Sequence, residues 1–261
     1  MSAASLDAER PGWRAAVLPL ALVAAWQLAA SLGWTDARVI PTPLQVLAVA
    51  GSTLASGELL HGALASVSRH LLGWAAGAAG GLALGAIVTL WRAGDQVVSP
   101  TLAGLKHISV FAWLPLISSF LGNGEAAKFV FIAQAAFYPM ALASVRAFSD
   151  VPAALLDVAR VHCFDRRQRL YRVLLPAASP QLLAGLQLAL VLSWMATIGA
   201  EYLLPAFAPG VGSVVMRGKA AFHVDVIVVG LLEIGVIGAV SSWALQRVER
   251  RLSRWRPPTA S

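Results

Sequence analysis

Glu233 stands in the apolar run 226–239 with no other charge near it in sequence. A carboxylate at that depth in a bilayer is costly unless paired, hydrated or protonated, so Glu233 must face protein or water. Two roles fit it, a hydrogen-bonded carboxyl inside a helix bundle or a participant in transport. A second polar line runs through Gly185, Ala189, Ser193, Thr197 and Glu201 at intervals of four, growing more polar toward Glu201. Ser193, Thr197 and Glu201 would suit the wall of a pathway, and hydrogen bonding across packed helices fits the two hydroxyls equally well. Glu201 falls at the outer boundary of its span. A third line, Gly73, Gly77, Gly81 and Gly85, puts four glycines on one helix face, where they let another backbone approach closely; its role is helix packing.

Other chemistry is missing from the chain. The five histidines and single cysteine, Cys163, show no metal-ligand spacing, so no metal site is expected and no intrachain disulfide can form. No G-x-x-x-x-G-K-[ST] phosphate loop occurs, and the spans hold no cluster of His, Asp or Cys. The chain is therefore expected to be a non-enzyme without a cofactor of its own.

The elements that position these residues follow from composition. Of 261 residues, 58% are hydrophobic and only 13% charged, against about 25% in a soluble domain. A mean hydropathy of +0.71 leaves no room for a separate soluble domain. Apolar runs near the ~20 residues that cross the hydrocarbon core lie at 15–33, 71–91, 101–121, 127–147, 181–203 and 224–245. The fold class is therefore an all-α integral membrane protein with about six transmembrane helices. The first run is too long for a signal-peptide core and reads as an uncleaved anchor.

Orientation follows from the basic residues, which collect on the cytoplasmic side. With both termini inside, Arg10, Arg14, Arg92, Arg146, Arg160, Arg166, Arg167, Arg169, Arg172, Arg247, Arg250, Arg251, Arg254 and Arg256 are cytoplasmic, fourteen of twenty. Arg38, Arg69, Lys128, Arg217 and Lys219 lie outside, and Lys106 near the inner end of the third span. The net charge of +7 thus reflects topology rather than nucleic-acid binding, for which no module is present. The chain divides into an N-terminal cytoplasmic tail (1–14), a six-helix transmembrane domain (15–245) containing a cytoplasmic loop (148–180), and a basic cytoplasmic C-terminal tail (246–261). Ile40-Pro41-Thr42-Pro43 predicts an extended entry to a short interfacial helix reaching about Leu60.

The 148–180 loop carries the most specific pattern. Asp157-Val158-Ala159, three residues, Cys163, nine residues, then Val173, Leu175 and Pro176 reproduce the spacing of E-A-A, three residues, G, nine residues, I-x-L-P. That loop resembles the one in the permeases of binding-protein-dependent ATP-binding-cassette importers, with Asp for Glu, Val for Ala and Cys for Gly. The resemblance covers about residues 40–250 and is nearest the sulfonate, taurine and nitrate permease branch. Ile40-Pro41-Thr42-Pro43 is similar to its leading L-P-S-P, Ser66-Val67-Ser68-Arg69 with Gly73 to its S-x-x-R start of span two, and Gly210-Val211-Gly212 to its G-L-G turn. Glu201 resembles a glutamate that follows span five, and Ser109 stands where the branch has proline.

The resemblance implies a type I importer permease in the bacterial inner membrane. It implies a second permease copy, cytoplasmic ATPase subunits that bind the ATP and receive the loop as a coupling helix, and a periplasmic substrate-binding protein. The coupling residues would be Asp157, Val158, Ala159, Cys163, Val173, Leu175 and Pro176, with Cys163 at the tip in a left-handed turn and Pro176 ending the loop helix before span five. The cargo would be a sulfonate, taurine, nitrate or similar small solute. A different class, a self-sufficient proton-coupled carrier using Glu233, would favour internal repeats, and the two halves show none.

Overall fold

The computed structural model describes residues 14–34, 40–90, 94–105, 107–204 and 208–252, and these are helical, with no strand among them. Arg10, Arg38, Arg92, Lys106, Arg254 and Arg256 lie outside the described residues.

The chain enters through α1 (Arg14–Ser31), beside which lies α2 (Pro43–Ala55), whose Leu44 N–H donates to Gln27 Oε1 at 3.4 Å. Thr42 caps α2 reciprocally with Gln45, and Pro43 occupies the first turn, where its missing N–H costs nothing. The interfacial helix stops at Ala55 rather than near Leu60. Gly57, at φ 77°, turns the chain there, and α3 (Glu58–Leu90) begins at once.

At 33 residues, α3 is about 50 Å long, far more than the hydrocarbon core requires. Its N-terminal half runs well ahead of the expected span 71–91, and there Ser66 and Arg69 find partners inside the protein.

The expected third span, 101–121, is not one helix. It is built from α4 (Gly94–Leu105), a 3-10 turn (Val110–Trp113) and α5 (Leu114–Leu121). Ser109 is extended (φ −56°, ψ 133°), and Pro115 in the first turn of α5 withholds the N–H that would continue a helix from before the break. Hydropathy averaged over the window hides this.

The central element is α6 (Glu125–Ser149), followed by α7 (Ala153–Val161) and the short α8 (Arg166–Arg169). Pro176 does not end the loop helix as expected. A π turn (Leu170–Leu174) joins α8 to α9 (Leu175–Leu203), so that 166–203 is one long helical run with Pro176 inside it. Pro176 falls just past the π turn, in the first turn of α9, where the altered hydrogen-bond register absorbs its missing N–H. Then come α10 (Val211–Ala220), which hydropathy did not predict, and α11 (Val224–Leu252).

Four helical runs, 58–89, 125–149, 166–203 and 224–251, are long and apolar enough to cross a membrane, with shorter apolar helices at 17–31, 43–55 and 110–121.

The tightest packing is between α3 and α6. Gly73, Gly77, Gly81 and Gly85 all face α6, and a methyl on Gly81 would lie 2.7 Å from both Phe137 O and Ala141 N. Gly185 of α9 meets Ala143 on another side of α6. Lipid tails are as apolar as leucine, so close backbone approach of this kind stabilises the bundle chiefly through dispersion. At one end Phe148, Leu174, Ala178 and Leu182 form a core, and at the other Leu114, Phe131, Ala196 and Leu204. By contrast Leu231, Leu232, Val236 and Val240 leave much of α11 exposed.

Candidate functional site

The loop between α6 and α9 builds a ridge from its own sequence. Leu156 packs on the core that contains Phe148 and Leu174, and Ala159 is buried, so α7 is anchored along one face. On the other face Leu155, Val158 and Val161 are exposed, Val161 at 80%. The helix ends in a double hydrogen-bonded cap in which Cys163 N–H donates to Arg160 O at 2.9 Å and Phe164 N–H to Ala159 O at 3.0 Å. Such a cap demands a left-handed residue, and Cys163 adopts φ 50° with its thiol exposed. A non-glycine residue there carries a cost of about 1–2 kcal/mol.

Asp157 and Arg160 form an exposed pair at 2.6 Å. Asp165 then caps α8 reciprocally with Gln168, while Arg172 lies over the Phe164 ring and Arg167 over Tyr171. The arginines are thereby held by aromatic faces, leaving the apolar side of α7 uncovered. Val173 and Leu175 are half-buried where the π turn joins α9, and Pro176 is exposed.

At the other end of the bundle a buried polar cluster joins four elements. Glu201, in the last turn of α9, accepts from Ser66 Oγ at 2.7 and 2.8 Å, from Arg69 Nη1 at 2.7 Å and from the Gly212 N–H at 2.9 Å. Ser66 in turn accepts the Val211 N–H at 2.9 Å. The carboxylate therefore caps the N-terminus of α10, where unpaired N–H groups and the helix dipole both favour an anion. Gly210 and Gly212 permit this approach, since a methyl on Gly212 would lie 2.7 Å from Ile198 O and 2.8 Å from Glu201 Cβ.

Arg69 also pairs with Glu125, which Lys128 meets at 3.3 Å. Two cations and two carboxylates thus balance. Arg69 is half-buried and Lys128 is 1% exposed, Arg69 held by carboxylates of two other helices and Lys128 by Glu125 one turn before it on α6. Nothing in the sequence joins Glu201 to Arg69 directly, but the Ser66-x-x-Arg69 spacing places Ser66 and Arg69 on one side of α3, and both reach Glu201.

Ser193 and Thr197 are buried and bond to carbonyls of their own helix, Leu190 O at 3.0 Å and Ser193 O at 2.8 Å. Ser193 Oγ also lies 3.4 Å from Nδ1 of His70, a fully buried residue that sequence analysis passed over and whose ring meets Trp194 edge-on. Glu233 is half-buried on α11, and its Oε2 is shielded with no hydrogen-bond partner among the described residues. The structure thus draws Ser193, Thr197 and Glu201 along α9 and leaves the coupling-loop residues together at the opposite end.

Comparison with known proteins identifies the family and the fold. A family profile described as the inner membrane component of binding-protein-dependent transport systems matches residues 77–254. The aliphatic sulfonates transport permease SsuC of Bacillus subtilis, a putative assignment in its own name, is 31% identical over 95% of this chain and 90% of its own. The Escherichia coli taurine permease TauC is 27% identical over 90% of this chain and 86% of its own. The nitrate import permease NrtB of Synechocystis is 26% identical over 86% and 83%. A chain of the inward-facing MetNI methionine ABC transporter superposes with a TM-score of 0.65 at 19% identity, covering 74% of this chain and 95% of that one, which shows a shared type I importer fold. With its apolar spans, its coupling-loop spacing and these relatives, the chain belongs to the inner-membrane permeases of binding-protein-dependent ABC importers, in the branch that holds the sulfonate, taurine and nitrate permeases.

Proposed function

We propose that this chain pairs with a second copy of itself to form the channel of an ATP-driven importer for a small solute of the sulfonate, taurine or nitrate kind. Both termini and the 148–180 loop face the cytoplasm, a reading supported by the fourteen-to-five distribution of basic residues. ATP is bound and hydrolysed by separate cytoplasmic subunits, and a periplasmic binding protein delivers cargo to the opposite face.

The observation that carries this reading is the α7 ridge. Leu155, Val158 and Val161 expose apolar surface beside the Cys163 turn, on a loop outside the apolar spans. Exposed apolar surface flanked by polar residues marks a protein contact, and the ridge holds the positions that insert into the ATPase subunit in this family. Movement of the two ATPase subunits would then be transmitted through α7 and the π turn into α9.

Reconstitution tests it. The permease, assembled with its ATPase subunits and binding protein and placed in liposomes, should accumulate labelled sulfonate, taurine or nitrate only with internal ATP and the external binding protein. Uptake driven by a proton gradient without either would overturn it in favour of a carrier using Glu233.

A further inference from the structure

Beside the break in the third span is a cavity of about 340 Å³, walled by Ile108 and Val110 of the break, Tyr138, Leu142 and Arg146 of α6, and Leu188 of α9. Irregular backbone at membrane depth persists where it is buried in protein or lines a cavity, and broken spans build the solute sites of many transporters. Along α6 the lining runs from Ala135 to Arg146, about 16 Å or half the hydrocarbon core. Arg146 and Tyr138 are the polar members of the described lining, no carboxylate is among them, and Arg146 has no ion-pair partner among the described residues.

We propose that this cavity is a transit site for an aliphatic sulfonate, with Arg146 as the contact for the sulfonate head and the Leu142–Leu188 walls as the contact for its alkyl tail. The proposal rests on the importer reading above and narrows its cargo. A single guanidinium suits a single negative charge and can hold two sulfonate oxygens at once. Apolar walls gain by covering an alkyl chain, which nitrate lacks. Taurine carries an ammonium group that would share the cavity with the Arg146 cation and find no acid in the described lining to receive it. The volume is at the small end of solute pockets and accommodates a short alkanesulfonate.

The test uses the assembled importer in liposomes with its binding protein, and linear alkanesulfonates as probes. The affinity of the binding protein for each probe is measured separately, so that its selectivity can be divided out. Arg146→Gln should slow alkanesulfonate uptake by about tenfold or more, the loss expected for a charge-assisted contact, and Arg146→Lys should recover part of it. Leu142→Trp, which narrows the cavity without touching charge, should lower the octanesulfonate-to-methanesulfonate rate ratio by about tenfold, a readout that general misfolding does not move. Full recovery by Arg146→Lys together with an unchanged ratio in Leu142→Trp would make Arg146 a topology signal and overturn the site. Import by the wild type of a different solute class altogether would overturn the anion reading itself, whatever the variants do.

Discussion

Arg69 holds Glu201 across the boundary between α3 and α9, its Nη1 donating to Oε1 at 2.7 Å, while the same guanidinium pairs with Glu125 on α6. Three membrane helices are thereby tied at one end, and Gly212 N–H adds α10 to the knot. Glu201 thus accepts from a hydroxyl, a guanidinium and a backbone N–H at once, and a buried charge is tolerated when it is paired and hydrogen-bonded in this way.

Removing one partner should therefore be severe. Glu201→Ala leaves Arg69 short of a carboxylate and the α10 N-terminus without its acceptor, at a cost of about 3–5 kcal/mol. Thermal unfolding of the detergent-solubilised protein should show a much lower midpoint, with Glu201→Gln falling less because it keeps an acceptor for Gly212. In a double-mutant cycle, Arg69→Met should cost far less in the Glu201→Met background than in the wild type. An unchanged midpoint in Glu201→Ala would mean that the cluster does not stabilise the bundle.

The glycine face of α3 makes a contrast between neighbours. A methyl on Gly81 meets backbone atoms of α6 at 2.7 Å, whereas one on Gly80 meets the Phe137 ring at 3.4 Å. Backbone cannot give way as a side chain can, so Gly81→Ala should destabilise by about 1–3 kcal/mol and Gly80→Ala by little. Membrane yield and melting of the two variants measure the difference, and equal behaviour would deny the close α3–α6 contact.

Orientation is open to a direct reading. An alkaline phosphatase fusion at Arg167 should be inactive and a fluorescent-protein fusion at the same point bright, since the reporters mature on opposite sides of the membrane. An active phosphatase would invert the topology.

Much of the bundle was legible in its hydropathy, because four of its runs are long and apolar and the glycine spacing marks one packed face. The turn at Cys163 was legible too, since the family resemblance put that residue where glycine usually stands, and its φ is 50°. The cluster around Glu201 was not. Ser66 and Arg69 lie more than 130 residues from Glu201 in sequence, and charge near a span end looks the same whether it meets water or a buried partner. The break before Val110 was hidden because a window average registers apolar content, not backbone continuity. Pro176 misled for a related reason, as a π turn can absorb a proline that an α-helix cannot. Arg146 was counted for topology, and its place at the mouth of a cavity depends on where α9 and the broken span fall.

The account turns on α7 being the contact with an ATPase subunit, and Cys163, the sole cysteine, tests it without background. With the importer assembled around an ATPase whose only cysteine lies in its docking cleft, a short bifunctional thiol reagent should join the two chains, with a yield that changes between nucleotide-free and ATP-bound states. The Cys163→Gly variant should import normally and give no cross-linked product. Absence of the product in every nucleotide state, or labelling of Cys163 by an impermeant reagent from the periplasmic side, would contradict the assignment.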